Sequence, residues 1–277
     1  MLTPAEFRSL HRPGAPMLLP NAWDLASARW FAARGHRAIG TTSLGVAVGA
    51  GKPDGAGGIA AESFALTVEA ARHGIALSVD LEAGFSDDPD EVGRFAAELA
   101  AIGCVGVNIE DSTADGELAD VELAAAKVAA IAAAAPALYV NARTDGYWLA
   151  GDGRLDEDEP ADRFDEAVTR AGRYLAAGAS GVFVPGVLDP KTISALVSAI
   201  EAPLNVLVQP ELPLARLAEL GVARVSTGSL LFRIALGSAT AAVEALLAGR
   251  DTTSPPVGAR PAVPSYAEVA ALPLATP

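Results

Sequence analysis

Three short acidic clusters carry the side chains best suited to chemistry. They are Asp80 and Glu82 in Ser78-Val79-Asp80-Leu81-Glu82, Glu110 and Asp111 in Asn108-Ile109-Glu110-Asp111, and Arg143 and Asp145 in Asn141-Ala142-Arg143-Thr144-Asp145. Each closes an apolar run of the kind that forms a buried strand. A period of two along a strand predicts that Asp80 and Glu82 share a face, as do Asn108 and Glu110, and Asn141, Arg143 and Asp145. Carboxylates at neighbouring strand ends repel one another, and a hard divalent cation with oxygen ligands removes that cost. Asp80, Glu82 and Glu110 are therefore the metal candidates, with Mg²⁺ the expected ion and Mn²⁺ also compatible. Zinc is disfavoured because no His or Cys lies near these positions. Asp111 is expected to turn away and organise the following loop. Arg143 is the natural counter-charge, either gripping an anionic substrate in fork geometry or tied in a salt bridge to Asp145 or Glu110.

Weaker signals surround these. Gly40-Thr41-Thr42-Ser43-Leu44-Gly45 reads as a turn of small and hydroxyl residues whose backbone N–H groups could approach an anion. The Gly-rich stretch Gly49–Gly58 lacks a Gly-Lys-Ser/Thr signature, so it is a mobile loop rather than a nucleotide site, with Asp54 its candidate functional group. Glu117, Asp54 and Tyr147 are the acid–base candidates.

The elements that must position these residues repeat as strand and then helix. Eight strand candidates are read at Met17–Trp23, Ala38–Ser43, Ala76–Leu81, Val105–Glu110, Leu138–Arg143, Gly181–Pro185, Leu204–Val208 and Ala223–Thr227. They are rich in Val, Ile and Leu without strict alternation, as strands covered on both faces should be. Helical stretches follow at Asp24–Arg34, Ala60–His73, Asp88–Ala101, Asp120–Ala134, Ala161–Ala177, Pro190–Ile200, Leu212–Leu220 and Ser229–Leu247. Alternation on this scale predicts a parallel sheet, and eight units predict a closed (β/α)₈ TIM-type barrel over residues 1–250. An open doubly wound sheet is disfavoured because Leu19–Asp24 carries no glycine fingerprint. Residues 251–277 form a Pro-rich tail with a possible short helix at Tyr266–Leu272. In a barrel, functional side chains belong at the C-terminal strand ends, which is where the acidic clusters fall.

Composition limits the partners. The chain has 277 residues, 51% of them hydrophobic, and a formal net charge of −14, which disfavours nucleic acid and anionic membranes. Its single cysteine, Cys104, allows no intrachain disulfide and reads as a buried thiol. The N-terminus has no signal-peptide pattern and no uninterrupted apolar run reaches spanning length, so the expected location is cytoplasmic.

Taken in order, LPNAWD (19–24), GTTSLGVA (40–47), KPDG (52–55), VDLEAGFSDDP (79–89), GVNIEDS (106–112), NARTD (141–145) and LNVL (204–207) resemble the isocitrate lyase/phosphoenolpyruvate mutase superfamily. The resemblance implies an α/β barrel that binds Mg²⁺ and a small 2-oxo acid or its enolate. It also implies a homo-oligomer, dimer or tetramer, in which C-terminal helices swap between subunits. It places the metal acids on Asp80, Glu82 and Glu110 and the carboxylate grip on Arg143. Thr42, Ser43 and Leu44 would hold the substrate through their backbone, Asn205 joins the substrate-binding set, and the Pro-Asp loop acid falls on Asp54. The lyase branch carries a Lys-Lys/Arg-Cys-Gly-His loop after the fourth strand, whereas here Ser112–Asp120 contains no Cys, Lys or His. The implied function is a Mg²⁺-dependent lyase-like enzyme that breaks or forms a C–C bond in a small 2-oxo acid or related dicarboxylate. The alternatives are P–C chemistry and a non-catalytic 2-oxo-acid binder. A Schiff-base aldolase is disfavoured because Lys52, Lys127 and Lys191 do not stand at strand ends.

Overall fold

The computed structural model describes residues 1–151, 160–250 and 265–267. Apart from residues 265–267, the Pro-rich tail expected over 251–277 lies outside the described residues.

The strands are β1 (Met17–Leu19), β2 (Asn21–Ala22), β3 (Ile39–Thr41), β4 (Leu77–Asp80), β5 (Gly106–Glu110), β6 (Tyr139–Arg143), β7 (Gly181–Phe183), β8 (Leu204–Leu207) and β9 (Arg224–Ser226). Every pairing is parallel, in the order β1-β9-β8-β7-β6-β5-β4-β3-β2. The first predicted strand is thus two halves separated by Pro20. The half before the proline pairs with β9 and the half after it with β3, so one interrupted strand closes the ring as a TIM-type barrel.

The predicted helices form as α2 (Leu25–Ala33), α4 (Ala60–Arg72), α5 (Pro89–Ala101), α6 (Val121–Ala134), α8 (Pro160–Ala176), α9 (Pro190–Ala199), α10 (Leu214–Glu219) and α11 (Leu230–Leu247). Their starts follow from local chemistry. Asp24, Asp88, Asp120 and Asp189 each accept a backbone N–H of the first turn, and Pro89 and Pro190 occupy positions whose N–H would be unpaired anyway. Three short helices were not predicted: α1 (Pro4–Ser9), α3 (Ser43–Gly49) and α7 (Gly146–Gly151). Each is too short for an apolar period to show. Among the described residues, α11 alone is long and apolar enough to cross a bilayer by length and composition.

The barrel interior is layered. At its N-terminal mouth α1 acts as a plug, with Phe7, Leu2 and Leu19 packed against Ala38, Ala76, Val105 and Tyr139. Above the plug lies a polar layer of Ser78, Asn108, Asn141, Asn205, Arg224 and Ser226, all buried. Arg224 donates to Ser226 Oγ at 3.0 Å and to Asn108 Oδ1 at 3.3 Å, and Asn141 donates to Asn108 Oδ1 at 2.9 Å. Gly181 is required by close approach: a Cβ there would meet Tyr139 Oη at 2.2 Å and the Pro203 carbonyl at 2.8 Å. Cys104 is buried as expected, and burial pushes its thiol pKa up to about 11.

His11 is stacked on Tyr139 with ring centroids 3.7 Å apart, and its Nδ1 lies 3.0 Å from the Phe7 carbonyl. Burial, aided by the charge of Arg224, lowers its pKa to about 3. The unfolded chain therefore takes up this proton near pH 6.5 while the folded chain refuses it. The stability His11 contributes is fully present above pH 6.5 and is lost as pH falls toward 3, at up to about 1.4 kcal/mol per pH unit. Urea unfolding between pH 7 and pH 4 should show this loss, and His11→Gln should flatten that part of the profile.

Candidate active site

The site is built at the C-terminal ends of β3 to β9, around a cavity of about 660 Å³. β4 delivers Asp80, whose backbone N–H donates to Thr41 Oγ1 at 2.8 Å, fixing it against β3. Ser43 N–H points at Asp80 Oδ2 from 3.4 Å. Thr42, Ser43 and Leu44 all line the cavity, but they form the N-cap and first residues of α3 rather than a free turn.

Period two does not carry past Asp80. The strand ends there, and Glu82 adopts a left-handed conformation with φ 49°. Its Oε2 accepts the Gly57 N–H at 2.7 Å, while Oε1 is buried with no partner. Glu82 thus stands behind the cavity lining, pinned to the Gly-rich loop. Burial, reinforced by Asp54 and Asp80, pushes its pKa up to about 7. Lys52 ties the same loop to the Gly58 carbonyl and to Glu62.

β5 and β6 supply the central ion cluster. Arg143 Nη1 lies 2.6 Å from Glu110 Oε2, and its Nε lies 2.5 Å from Asp145 Oδ1. The guanidinium is flanked by the rings of Phe183 and Trp148 at 5.7 and 5.8 Å. Burial raises the pKa values of Glu110 and Asp80; Arg143 opposes the rise in each, and Asp54 adds to it. Of the two alternatives for Arg143 the salt bridge forms, to both Glu110 and Asp145, and the residue also lines the cavity. Asp111 turns away as expected, taking the Asp145 N–H at 2.8 Å, the Tyr174 hydroxyl at 2.7 Å and Arg170 at 3.2 Å.

Other candidates separate into two groups. Asp54 lines the cavity and accepts a hydrogen bond from Tyr266. Glu117 is exposed on the loop after β5, where Ser112, Thr113 and Ala114 reach the cavity in its place. Asn205 lies in the polar layer below, accepting from Ser226 Oγ at 3.2 Å, and Tyr147 packs against the outer apolar cluster around β7 and β8. Neither belongs to the cavity lining, and no lysine does.

Sequence reasoning missed Trp148, Gln209, Arg233 and Tyr266, all of which line the cavity. Arg233 sits in the first turn of α11 just beyond β9, so the strand-end rule extended by one helical turn would have found it. Tyr266 has no local signal, because its contact with Asp54 spans 212 residues.

The carboxylates Asp54, Asp80, Glu82, Glu110 and Asp145 crowd a region in which Arg143 pairs with two of them. Asp54 Oδ1, Glu82 Oε1 and Asp145 Oδ2 are buried without hydrogen-bond partners. Among the described residues, no three His, Cys, Asp or Glu side chains close on one point as a direct ligand set. A surplus of hard oxygens held back from direct convergence fits a small ion that keeps part of its water shell, as Mg²⁺ does.

The sequence profile of the phosphoenolpyruvate phosphomutase family matches residues 7–247. The chain belongs to the phosphoenolpyruvate mutase/isocitrate lyase superfamily. It is 42% identical over 244 residues to an uncharacterised protein of Mycobacterium tuberculosis, covering 88% of this chain and 90% of that one. A Burkholderia cenocepacia structure assigned as a phosphonomutase is 38% identical with a TM-score of 0.81, covering 88% of this chain and all of that one. The fold is also that of 2,3-dimethylmalate lyase, at 20% identity and TM-score 0.75 over 93% of this chain and 90% of that one.

Asp145 pairs with Arg143 and is itself fully buried. Asp145→Ala should lower the unfolding free energy in urea by about 3 kcal/mol, because half of a buried ion-pair clamp is lost. A change below about 0.5 kcal/mol would show that Glu110 alone satisfies the guanidinium.

Proposed function

We propose that the chain is a Mg²⁺-dependent lyase-like enzyme acting on a small 2-oxo acid or related dicarboxylate, breaking or forming a C–C bond. The observation that carries this reading is the Glu110–Arg143 ion pair beside Asp80 and Asp54, all lining one cavity. An acidic chain repels anionic substrates at long range, so a local cation and a guanidinium are what make such a site attractive to an acid.

Asp80 and Glu110 would hold the cation, in part through water, with Glu82 adding its charge from behind the cavity lining. When bound, the ion would polarise a substrate oxygen and stabilise negative charge developing there. Arg143 is pre-oriented by Asp145 and flanked by Phe183 and Trp148, so its fork is ready for a carboxylate without reordering. Of the backbone donors expected at Thr42–Leu44, the Thr42 N–H is taken by the Ala22 carbonyl at 3.0 Å and the Ser43 N–H points at Asp80, which leaves Leu44 to donate along the cavity wall. Arg233, on the rim after β9, offers a second cationic group for a dicarboxylate. Ser112 and Thr113 line the cavity from the loop after β5 while Glu117 of that loop is exposed, so the proton donor is to be sought on another element.

P–C chemistry is the second reading, favoured by the 38% identity to the structure assigned as a phosphonomutase. A homo-oligomer belongs to the proposal too. Val243, Leu246 and Leu247 on the last turns of α11 are exposed apolar residues that a second copy of the chain would cover.

Oxalate, a planar dianion shaped like the enolate of pyruvate, is a suitable probe. Asp80→Ala should abolish Mg²⁺-dependent oxalate binding in calorimetry, and an unchanged Mg²⁺-dependent affinity would refute the metal assignment. Arg143→Lys keeps the charge but loses the fork. It should weaken oxalate by about tenfold or more, while an unaltered affinity would leave Arg143 with a structural role alone. Turnover of 2-oxo acids, 2-hydroxy dicarboxylates and phosphonopyruvate with Mg²⁺ distinguishes C–C from P–C chemistry. Tight binding with no turnover of any of them would identify a binder.

A further inference from the structure

Residue Tyr266 lies 212 residues beyond Asp54 in the chain and well past the acidic clusters, yet its side chain lines the same cavity. Its hydroxyl donates to Asp54 Oδ2. Its ring meets Trp148 edge-on, with centroids 5.4 Å apart at 85°, and packs with the cluster of Leu44 and Phe232. Asp54 in turn stands near enough to Asp80, Glu82 and Glu110 to disfavour their ionisation, and its Oδ1 is buried with no partner. One oxygen of Asp54 is therefore fixed by the phenol, and the other is buried without a hydrogen-bond partner.

We propose that Tyr266 is a positioning residue of the active site. By clamping Asp54 Oδ2 it holds the Asp54 carboxylate in place at the cavity, and with Trp148 its ring forms the cavity wall on that side. Three contacts of different kinds converge on this one side chain: a charge-assisted hydrogen bond, an edge-to-face ring pair and apolar packing. A tyrosine that merely anchored the chain terminus would need the packing alone. The Asp54 bond matters because the Gly-rich loop that carries Asp54 has few other restraints on that side chain. Without the phenol, the carboxylate is free to rotate away from the cavity. The inference rests on the 2-oxo-acid reading for its choice of probe, but the Asp54–Tyr266 contact does not depend on it.

The test uses the full-length chain and its Tyr266→Phe, Asp54→Ala and doubly substituted forms. Binding of oxalate with Mg²⁺ is read by calorimetry, and amide hydrogen exchange around residues 265–267 is read without ligand. Tyr266→Phe keeps the ring and should retain the thermal midpoint while weakening oxalate about tenfold or more, the effect of one hydrogen bond to a charged group. In the Asp54→Ala background the same change should have no further effect. Exchange at 265–267 should quicken several-fold in Asp54→Ala and in Tyr266→Phe alike. Unchanged affinity in Tyr266→Phe, or an equal loss with and without Asp54, overturns the positioning role. If the unsubstituted chain binds no oxalate, the 2-oxo-acid reading fails and the exchange data decide the contact. Faster exchange in both variants then upholds it, and unchanged exchange overturns it.

Discussion

The site depends on keeping mutually repelling carboxylates together in a place where water cannot screen them. Glu110 and Asp80 gain protons more readily than usual because they are buried, and Arg143 is the group that offsets this from within the chain. Its two bonds, to Glu110 and Asp145, tie the ends of β5 and β6 into one rigid unit. Asp111 and Arg170 extend that unit outward to α8, so the ion cluster is braced by a second buried pair rather than by loop conformation. Bonded at both Nε and Nη1, the guanidinium is held in one orientation.

The scaffold supplies this rigidity from below. α1 closes the barrel with apolar side chains, and the polar layer above it links β5, β6, β8 and β9 through Asn108, Asn141, Asn205 and Arg224. Arg224 is fully buried without a carboxylate bonded to it, and its pKa is lowered to about 10 by burial. Its positive charge lies under the acidic rim, and the charge of Asp80 partly opposes that fall. The interior is thus polarised along its axis, cation beneath and anions above, an arrangement that favours a cation at the open end.

Much of this was legible in the sequence, and for identifiable reasons. Parallel strands covered on both faces leave near-continuous apolar runs, so the runs ending at Asp80, Glu110 and Arg143 marked both element and site at once. Asp111 facing outward followed from alternation inside β5. Alternation failed at Glu82 because the strand had ended and a left-handed residue reversed the side chain. Glu117 was placed in the right loop, but the loop turns it to solvent. Asn205 carries a side chain of the right type on the right strand, one layer too deep to touch the cavity. The Tyr266–Asp54 and α1–Tyr139 contacts were invisible because they join segments far apart in sequence, with no periodicity to announce them.

The interruption at Pro20 has a consequence for how the molecule comes into being. The two halves of the first strand face opposite neighbours, β9 and β3, so the ring has its seam inside the earliest strand made. On a ribosome, β2 can pair with β3 soon after both emerge, but β1 must wait until Arg224–Ser226 have been synthesised. Until then the growing sheet is an open ribbon with unpaired backbone at both margins, the form most prone to joining other chains. The barrel is sealed by the last of the nine described strands to appear, and nascent-chain protection falls to whatever covers those margins during the interval.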